Sequence, residues 1–259
     1  MGAQAANVAF LSDSYSLASI QPDLPAGHTY TAVTVNDIDN GSLSSYDALL
    51  LGHVYTITAT TCTQIQTFLN AGKGLVSEWS GATLLFPQTG SLYYPVNISC
   101  ALFSGSVTGG DSSFGSDIPV TLAQPASPLV SGLSNPFSMQ GGSEFVYLIS
   151  GYGAEWEVAG TSDLGGTVYP TVLAAKYGGR GCVALSPFDY FDSLSAGSNS
   201  QVLLGNLLNS VVNTQAGCGG QAAPATAVPV PTLSDTMLWL LSALVLLAAA
   251  PVVQRRMRS

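Results

Sequence analysis

Short apolar segments and one amphipathic segment alternate along the first eighty residues of the chain. Asn7–Leu11 predicts a strand that ends at a Ser-Asp pair, and residues 28–35 alternate as a second strand. Ala48–Leu51 is apolar throughout, as strands buried on both faces of a parallel sheet are. Residues 60–71 have helical spacing and precede a glycine, and residues 74–77 begin another strand. This order predicts an α/β fold with a mostly parallel central sheet.

The second half of the chain is rich in Gly, Ser and Pro and predicts more strands than helices. Residues 87–136 show only short strand-like pieces, so we expect a β-rich insertion there. Residues 178–181 read Gly-Gly-Arg-Gly between two apolar runs, which predicts a hairpin. Residues 7–213 are therefore expected to form one domain. The other predicted elements are a helical turn at 82–86, strands at 118–122, 145–149, 156–159, 171–177 and 182–186, and a helix at 202–212.

An uncharged apolar run occupies residues 237–253, near the end of the chain. As a helix, this run would span about 25 Å, which suits the hydrocarbon core of a membrane. Arg255, Arg256 and Arg258 follow, and such basic clusters stay on the cytoplasmic side. We therefore predict a transmembrane helix, with the preceding domain outside the cytoplasm and a flexible linker at 214–229.

The residues before this apolar run carry a recognisable motif. Val230, Pro231, Thr232, Leu233 and Ser234 are followed by an acidic residue. With the apolar run and the basic tail, they resemble the IPTL-CTERM sorting signals of Gram-negative bacteria, although Val230 stands where that family usually has Ile. The resemblance implies that an exosortase-type membrane peptidase is a partner and that the protein is sorted to the cell envelope or surface.

The composition agrees with export. Charged residues make up only 8% of the chain. Residues 1–229 hold three of the six basic residues and fourteen of the fifteen acidic ones, a net charge of −11. Such a domain should repel nucleic acid and anionic membrane surfaces, so neither is expected as its partner. Residues 1–6 contain Ala-Gln-Ala, typical of a signal-peptidase site, and we interpret them as the remnant of a signal peptide.

The four cysteines, Cys62, Cys100, Cys182 and Cys218, are far apart and form no C-x-x-C pair. Because the chain has only two histidines, a structural zinc site is not expected. An oxidising compartment favours one or two disulfides, with free buried thiols as the alternative, and the spacing does not choose among the pairings. Cys62 has no histidine near it in sequence, so we do not expect it to be a nucleophile.

Motifs for common cofactors are absent from the sequence. It has no P-loop, no dinucleotide-binding glycine motif and no G-x-S-x-G elbow, so neither a cofactor nor a metal is expected. Residues 37–41 contain two aspartates in an arrangement similar to a calcium loop. No acidic residue closes that loop, and a solvated turn is the favoured interpretation.

The predicted element order, with Gly-Lys-Gly-Leu-Val at 72–76 and a late glycine-rich hairpin, resembles the class I glutamine-amidotransferase-like fold and its ThuA-like relatives. Enzymes of that superfamily place a catalytic cysteine at the turn after the fourth strand and a His-x-Glu late in the chain. Here that turn reads Ser-Glu-Trp-Ser-Gly at 77–81, and no His-x-Glu occurs. The catalytic pair of the family is therefore not carried over to this chain.

Ligands of doubly wound sheets bind beyond the carboxyl ends of the strands. The predicted strand ends place Asp13, His53, Glu78, Trp79 and Asp189 there, and these residues form the candidate ligand crevice. A histidine between carboxylates can serve as a general base with a raised pKa. The same residues can instead cap strand ends, accept backbone hydrogen bonds or pack in the core, so no residue is assigned a catalytic role.

Two hypotheses on function follow from these observations. The first is an envelope or surface protein whose domain binds a partner or a glycan, or acts structurally, without catalysis. The second is an atypical hydrolase that uses His53 and Glu78. The missing nucleophile favours the first hypothesis, whereas an open polar cleft with His53 and Glu78 within hydrogen-bond reach would favour the second.

Overall fold

A computed structural model describes residues 5–114, 117–139, 143–212 and 218, with backbone only at 110–114 and 143–145. These residues lie within the compact unit Met1–Ala222. The described strands are β1 (Asn7–Leu11), β2 (Thr29–Ala32), β3 (Ala48–Leu51), β4 (Gly74–Glu78), β5 (Ser106–Phe114), β6 (Thr121–Leu122), β7 (Ser143–Ser150), β8 (Trp156–Leu164), β9 (Thr167–Tyr177) and β10 (Gly181–Ser186). The described α-helices are α1 (Leu17–Ile20), α2 (Val35–Asp39), α3 (Ala59–Asn70), α4 (Trp79–Leu85) and α5 (Asn199–Val212).

Eight of these strands form one mixed sheet in the order β2-β1-β3-β4-β10-β9-β8-β6. The first five strands pair in parallel, and the last three continue the sheet with antiparallel pairs. The α/β fold with a large, mostly parallel central sheet is thus confirmed. The hairpin between β9 and β10 is confirmed as well, and its Gly178 and Gly179 adopt the positive φ angles that such a turn requires.

The sheet is buried on both faces, which explains the continuous apolar runs of its central strands. On β3, Leu49 and Leu51 belong to the core on the α3 side, whereas Ala48 and Leu50 belong to the core on the α5 side. Helix α3 contributes Ile65, Phe68 and Leu69 to the first core. Helix α5 contributes Leu203, Leu204, Leu207 and Leu208 to the second. The helices therefore cover opposite faces, as parallel crossover connections require.

The segment after β2 is helical, and the prediction of a strand to residue 35 followed by a solvated turn is wrong there. Thr34 caps α2 through a capping box with Asp37. The Asp39 carboxylate accepts hydrogen bonds from the hydroxyls of Thr58 (2.8 Å) and Thr61 (2.7 Å) at the start of α3. Both aspartates of the calcium-like sequence are therefore engaged in the N-terminal caps of α2 and α3.

The predicted insertion at 87–136 contributes to two sheets. Strand β5 pairs with β7 in a separate two-stranded sheet, whereas β6 adds to the edge of the main sheet beside β8. Strands β8 and β9 are longer than predicted and meet at a second hairpin, where Gly165 and Gly166 have positive φ. The second half of β8 was not predicted, because residues 160–163 lack the apolar side chains on which the strand prediction relied.

All four cysteines form disulfides, Cys62–Cys100 and Cys182–Cys218, so the alternative of free thiols is wrong. The second disulfide fixes residue 218, within the predicted linker 214–229, to strand β10. At the other end, Ala6 is buried and its carbonyl oxygen accepts a hydrogen bond from the Thr29 N–H (2.9 Å).

Within the described ranges, no helix is long and apolar enough to cross a membrane. The predicted span at 237–253, the sorting motif at 230–234, the basic residues at 255–258, residues 1–4 and the linker apart from Cys218 lie outside those ranges. The membrane helix and the sorting signal therefore stay predictions from the sequence.

Candidate functional site

Four loops meet at the carboxyl edge of the parallel part of the sheet. Asp13 follows β1, His53 follows β3, Glu78 ends β4 and Asp189 follows β10. Since neighbouring parallel strands end at the same edge, residues that are far apart in sequence are brought together there. Within this edge, His53, Glu78 and Asp189 are in direct contact and form what we call the His53 cluster.

The His53 cluster is buried and tightly bonded. His53 Nε2 lies 2.5 Å from Asp189 Oδ1 and 3.3 Å from Glu78 Oε1. The backbone N–H of His53 also donates a hydrogen bond to Glu78 Oε1 (2.8 Å). Glu78 is completely buried, and His53 and Asp189 are each only 6% exposed. One nitrogen of the imidazole, Nε2, therefore faces both carboxyl groups in a region of low dielectric.

The backbone of His53 adopts an unusual conformation. Its φ angle is +46°, in the left-handed region that side chains other than glycine rarely adopt. Such conformations persist only where the surrounding contacts hold them, and here the backbone N–H and the ring of His53 both contact Glu78. The left-handed conformation thus allows both the backbone N–H and the ring of His53 to contact the Glu78 carboxyl group.

Burial and charge determine the protonation of the His53 cluster. Burial alone would lower the pKa of His53, but the nearby Glu78 and Asp189 carboxyl groups outweigh it and raise this pKa to about 9. Burial raises the pKa of Glu78 to about 8, against the opposing effect of His53. Burial also raises the pKa of Asp189, although its hydrogen bond to His53 opposes the increase. These shifts favour a protonated imidazole at His53 and a protonated Glu78 at neutral pH.

Aromatic rings surround His53. The ring centroids of Tyr15 and Trp79 lie 4.8 and 5.0 Å from that of His53. The Tyr55 ring lies at 6.2 Å, with its hydroxyl oxygen 3.3 Å from His53 Nδ1. Tyr94, whose side chain is exposed, continues the aromatic surface with its ring 5.8 Å from Tyr55 and 6.4 Å from Trp79. We call Tyr15, Tyr55, Trp79 and Tyr94 the aromatic rim.

A tyrosine–aspartate contact joins two of the loops around His53. The Tyr15 hydroxyl donates a hydrogen bond to the exposed Asp192, which lies three residues after Asp189. Burial and the Asp192 carboxylate raise the pKa of Tyr15 well above its usual value, so Tyr15 stays protonated as the donor.

Sequence reasoning missed Tyr15, Tyr55, Tyr94 and Asp192. Tyr15 lies two residues after Asp13, and Tyr55 lies two residues after His53. The signal that could have found these two is an aromatic residue directly beyond a predicted strand end. Asp192 lies in the same loop as the predicted residue Asp189, but no pattern singles it out. Tyr94 carries no such signal, because its loop approaches the site only through the tertiary fold.

The candidate residues Asp13 and Trp79 have different roles from the His53 cluster. The Asp13 carboxylate accepts hydrogen bonds from the backbone N–H groups of Tyr55 (2.6 Å) and Thr56 (3.0 Å). Asp13 therefore holds the loop that carries His53 and Tyr55. Trp79 is buried, and its ring stacks on that of Tyr147 at 5.8 Å. The Trp79 ring also contacts the rings of His53, Tyr55 and Tyr94, so Trp79 joins the core to the site.

Glu78 lies at the turn between β4 and α4, and the residues of this turn, 77–81, include no cysteine. A Cβ atom at Gly81 would collide with the Ser77 hydroxyl, so a larger residue there would force the Ser77 side chain to move. Because every cysteine of the chain is in a disulfide, no thiol is present to act at this turn. This finding agrees with the expectation that Cys62 is not a nucleophile.

The region around the His53 cluster contains buried polar atoms that lack a hydrogen-bond partner among the described residues. Glu78 Oε2 accepts none of ordinary geometry, although the Phe191 backbone N–H is close enough to lower the pKa of this carboxyl group. Ser186 Oγ and Tyr190 Oη are also buried without a partner. Ser186 is the register partner of Glu78 across the β4–β10 pair. Such groups are uncommon in folded proteins and often mark functional sites.

The His53 cluster is also the one group in the described part of the chain that could hold a metal ion. One ligand atom from each of His53, Glu78 and Asp189 lies within 4.8 Å of the others. No metal site was expected from the sequence, because the three residues come from separate strand ends and share no short spacing.

Comparisons with known proteins inform the fold. No family model and no curated protein match this chain. Among solved structures, a ThuA-like protein from Bacteroides uniformis ATCC 8492 is similar over 78% of this chain and 89% of its own, with TM-score 0.56 and 11% identity. A ThuA-like protein from Parabacteroides merdae ATCC 43184 has the same coverage, TM-score 0.54 and 12% identity. The mmIFT52 N-terminal domain is similar over 79% of this chain and 97% of its own, with TM-score 0.58 and 9% identity. The described domain therefore has the glutamine-amidotransferase-like fold that ThuA-like proteins share.

Proposed function

We propose that this chain is an exported envelope or surface protein whose ThuA-like domain binds a glycan, without catalysis, at the carboxyl edge of its parallel sheet. The observation that carries the proposal is the aromatic rim around the His53 cluster. Aromatic rings offer flat apolar surfaces on which a sugar ring can stack, and the polar groups between them can orient its hydroxyls.

The chemistry of the crevice favours binding over covalent catalysis. All four cysteines are in disulfides, so the thiol chemistry of related amidotransferases has no nucleophile here. The His53 ring and the Asp189 carboxyl group are already bonded to each other within the protein. Tyr94 is the exposed ring of the rim, whereas His53 is buried and has the rings of Tyr15 and Trp79 within 5.0 Å of its own. A ligand is therefore expected to meet the rim before it reaches the charged groups.

The test is a fluorescence titration with soluble neutral and amino-sugar oligosaccharides, in which Trp79 serves as the reporter. At least one oligosaccharide should bind, and Tyr94→Ala should weaken its binding by about fivefold, because one stacked ring contributes about 1 kcal/mol. Tyr152→Ala is the matched control, since Tyr152 is also exposed but outside the aromatic rim. The proposal fails if no oligosaccharide of the panel binds, or if both variants weaken binding equally.

The alternative function is hydrolysis of such a ligand, and one observation favours it. His53 and Glu78 are within hydrogen-bond reach, and a Glu78 carboxyl group with a pKa of about 8 could donate a proton to a leaving group. The deep burial of both residues argues against it. If the protein hydrolysed the same oligosaccharides and Glu78→Gln abolished this activity, the hydrolase would be the correct function.

Export and sorting belong to the same proposal. Two disulfides support a final location in an oxidising compartment, since such bonds are rare in the cytosol. The membrane helix at 237–253 holds the protein in the inner membrane until an exosortase-type peptidase processes it near Pro231.

Replacing Pro231 and Thr232 by alanine should block this processing, because it removes the residues that the peptidase reads. The size and cellular location of the protein are measured by blotting. Unchanged processing in the double variant, or a released form that keeps the tail from Arg255, would show that the apolar run is a plain anchor.

A further inference from the structure

The potential ligand atoms of the His53 cluster are of the chemical types that divalent transition metals prefer. They are one imidazole nitrogen, His53 Nε2, and one carboxylate oxygen from each of Glu78 and Asp189. Imidazole suits zinc and its neighbours in the first transition series, and carboxylates complete such sites in many proteins. We propose that these three residues bind one Zn²⁺-like divalent cation. This inference goes beyond glycan binding and does not depend on it.

The three ligand atoms lie within 4.8 Å of one another, close enough for one ion to bind all three after small shifts. Bonds of about 2.0–2.2 Å in tetrahedral geometry separate neighbouring ligand atoms by about 3.4 Å. His53 Nε2 and Glu78 Oε1 are 3.3 Å apart, close to this value. His53 Nε2 and Asp189 Oδ1 are 2.5 Å apart and share a proton that the metal would displace, so this pair must open by less than about 1 Å.

Glu78 Oε2 is an independent sign of a ligand. The Glu78 side chain is completely buried, and its second oxygen has no hydrogen-bond partner of ordinary geometry among the described residues. A buried carboxyl oxygen that is left without a partner is costly in either protonation state. A cation bound by both oxygens of the Glu78 carboxylate would satisfy Oε2 as well as Oε1, after displacing the Glu78 proton.

The charges balance when a divalent cation is bound. A neutral imidazole, two carboxylates and one divalent ion sum to zero, so the buried region carries no net charge. The Tyr55 hydroxyl lies 3.3 Å from His53 Nδ1 and could hold the ring in the orientation in which Nε2 faces the metal. With one nitrogen ligand, the cluster should prefer Zn²⁺ over Mg²⁺ and Ca²⁺, which favour oxygen ligands alone.

The test is a Zn²⁺ titration of tag-free, EDTA-treated full-length protein in detergent, against a competing colorimetric chelator. Wild type should bind one Zn²⁺ per chain, and His53→Gln and Asp189→Asn should each weaken binding by about a hundredfold or more. His28→Gln is the matched control, because His28 is the only other histidine and lies beside Tyr30, away from the cluster. The control should keep the wild-type affinity.

A second readout uses the wild-type protein alone, so that it does not depend on the folding of variants. With two histidines in the chain, nitrogen NMR of the imidazoles resolves both, and Zn²⁺ should shift the signals of His53 but not those of His28. Absence of stoichiometric Zn²⁺ binding by wild type, or a shift confined to His28, overturns the metal site. If Zn²⁺ binds as expected while no oligosaccharide binds, the metal site stands and the proposed glycan function fails.

Discussion

Raising the pH from about 5 to about 9 in EDTA should lower the free energy of unfolding by an amount on the order of several kcal/mol. Folding raises the pKa of His53 from 6.5 to about 9 and that of Glu78 from 4.5 to about 8. The folded state therefore binds more protons than the unfolded state over this range. The contribution of His53 is complete below its unfolded pKa and is lost as the pH rises through about 9. Glu78 acts in the same direction: it lowers the free energy of unfolding as the pH rises from its unfolded pKa to about 8.

The free energy of unfolding is measured by urea titration at several pH values, with tryptophan fluorescence as the signal. Glu78→Gln keeps the shape of the side chain but cannot ionise, so it should flatten the slope and be more stable than wild type near the alkaline end. Glu155→Gln is the control, because Glu155 is exposed and should leave the slope unchanged. A wild-type stability that rises with pH through this range would contradict the electrostatics of the His53 cluster.

Replacing Cys62 and Cys100 by alanine should lower the free energy of unfolding by about 4 kcal/mol. The disulfide closes a loop of 38 residues, and its loss returns that conformational freedom to the unfolded chain. The loop between the two cysteines also carries Tyr94, so the variant should lose affinity for any oligosaccharide that wild type binds. Urea unfolding and the fluorescence titration measure the two effects.

The pair Cys182→Ala and Cys218→Ala provides the comparison. Its loop of 36 residues predicts a similar loss of stability, again about 4 kcal/mol. Glycan affinity should survive in this variant, because Cys182 lies near the amino end of β10, whereas the His53 cluster lies beyond the carboxyl end of that strand. Equal losses of affinity in both variants would show that general destabilisation, and not the position of Tyr94, is the cause.

The amino-acid sequence determined the parts of the fold that depend on local patterns. The apolar run at Ala48–Leu51 and the helical spacing at 60–71 arise from neighbours in the chain, so the parallel core and helix α3 could be predicted. The ends of the strands followed from these elements. They predicted that His53, Glu78 and Asp189 lie at one edge of the sheet. Elements with polar interiors or strong caps, such as the second half of β8 and helix α2, were missed or misassigned because apolar periodicity does not describe them.

The tertiary structure alone decided which candidates meet. His53 and Asp189 are 136 residues apart, and their contact depends on β10 lying beside β4 rather than at the edge of the sheet. The same strand order leaves Asp13 as a support for the loop and brings Tyr15, Tyr55 and Tyr94 around the histidine. The disulfide pairing was likewise open until the fold placed Cys62 beside Cys100 and Cys182 beside Cys218. Local sequence patterns carry no information on such contacts, because strand order and loop approach are set by the packing of the whole domain.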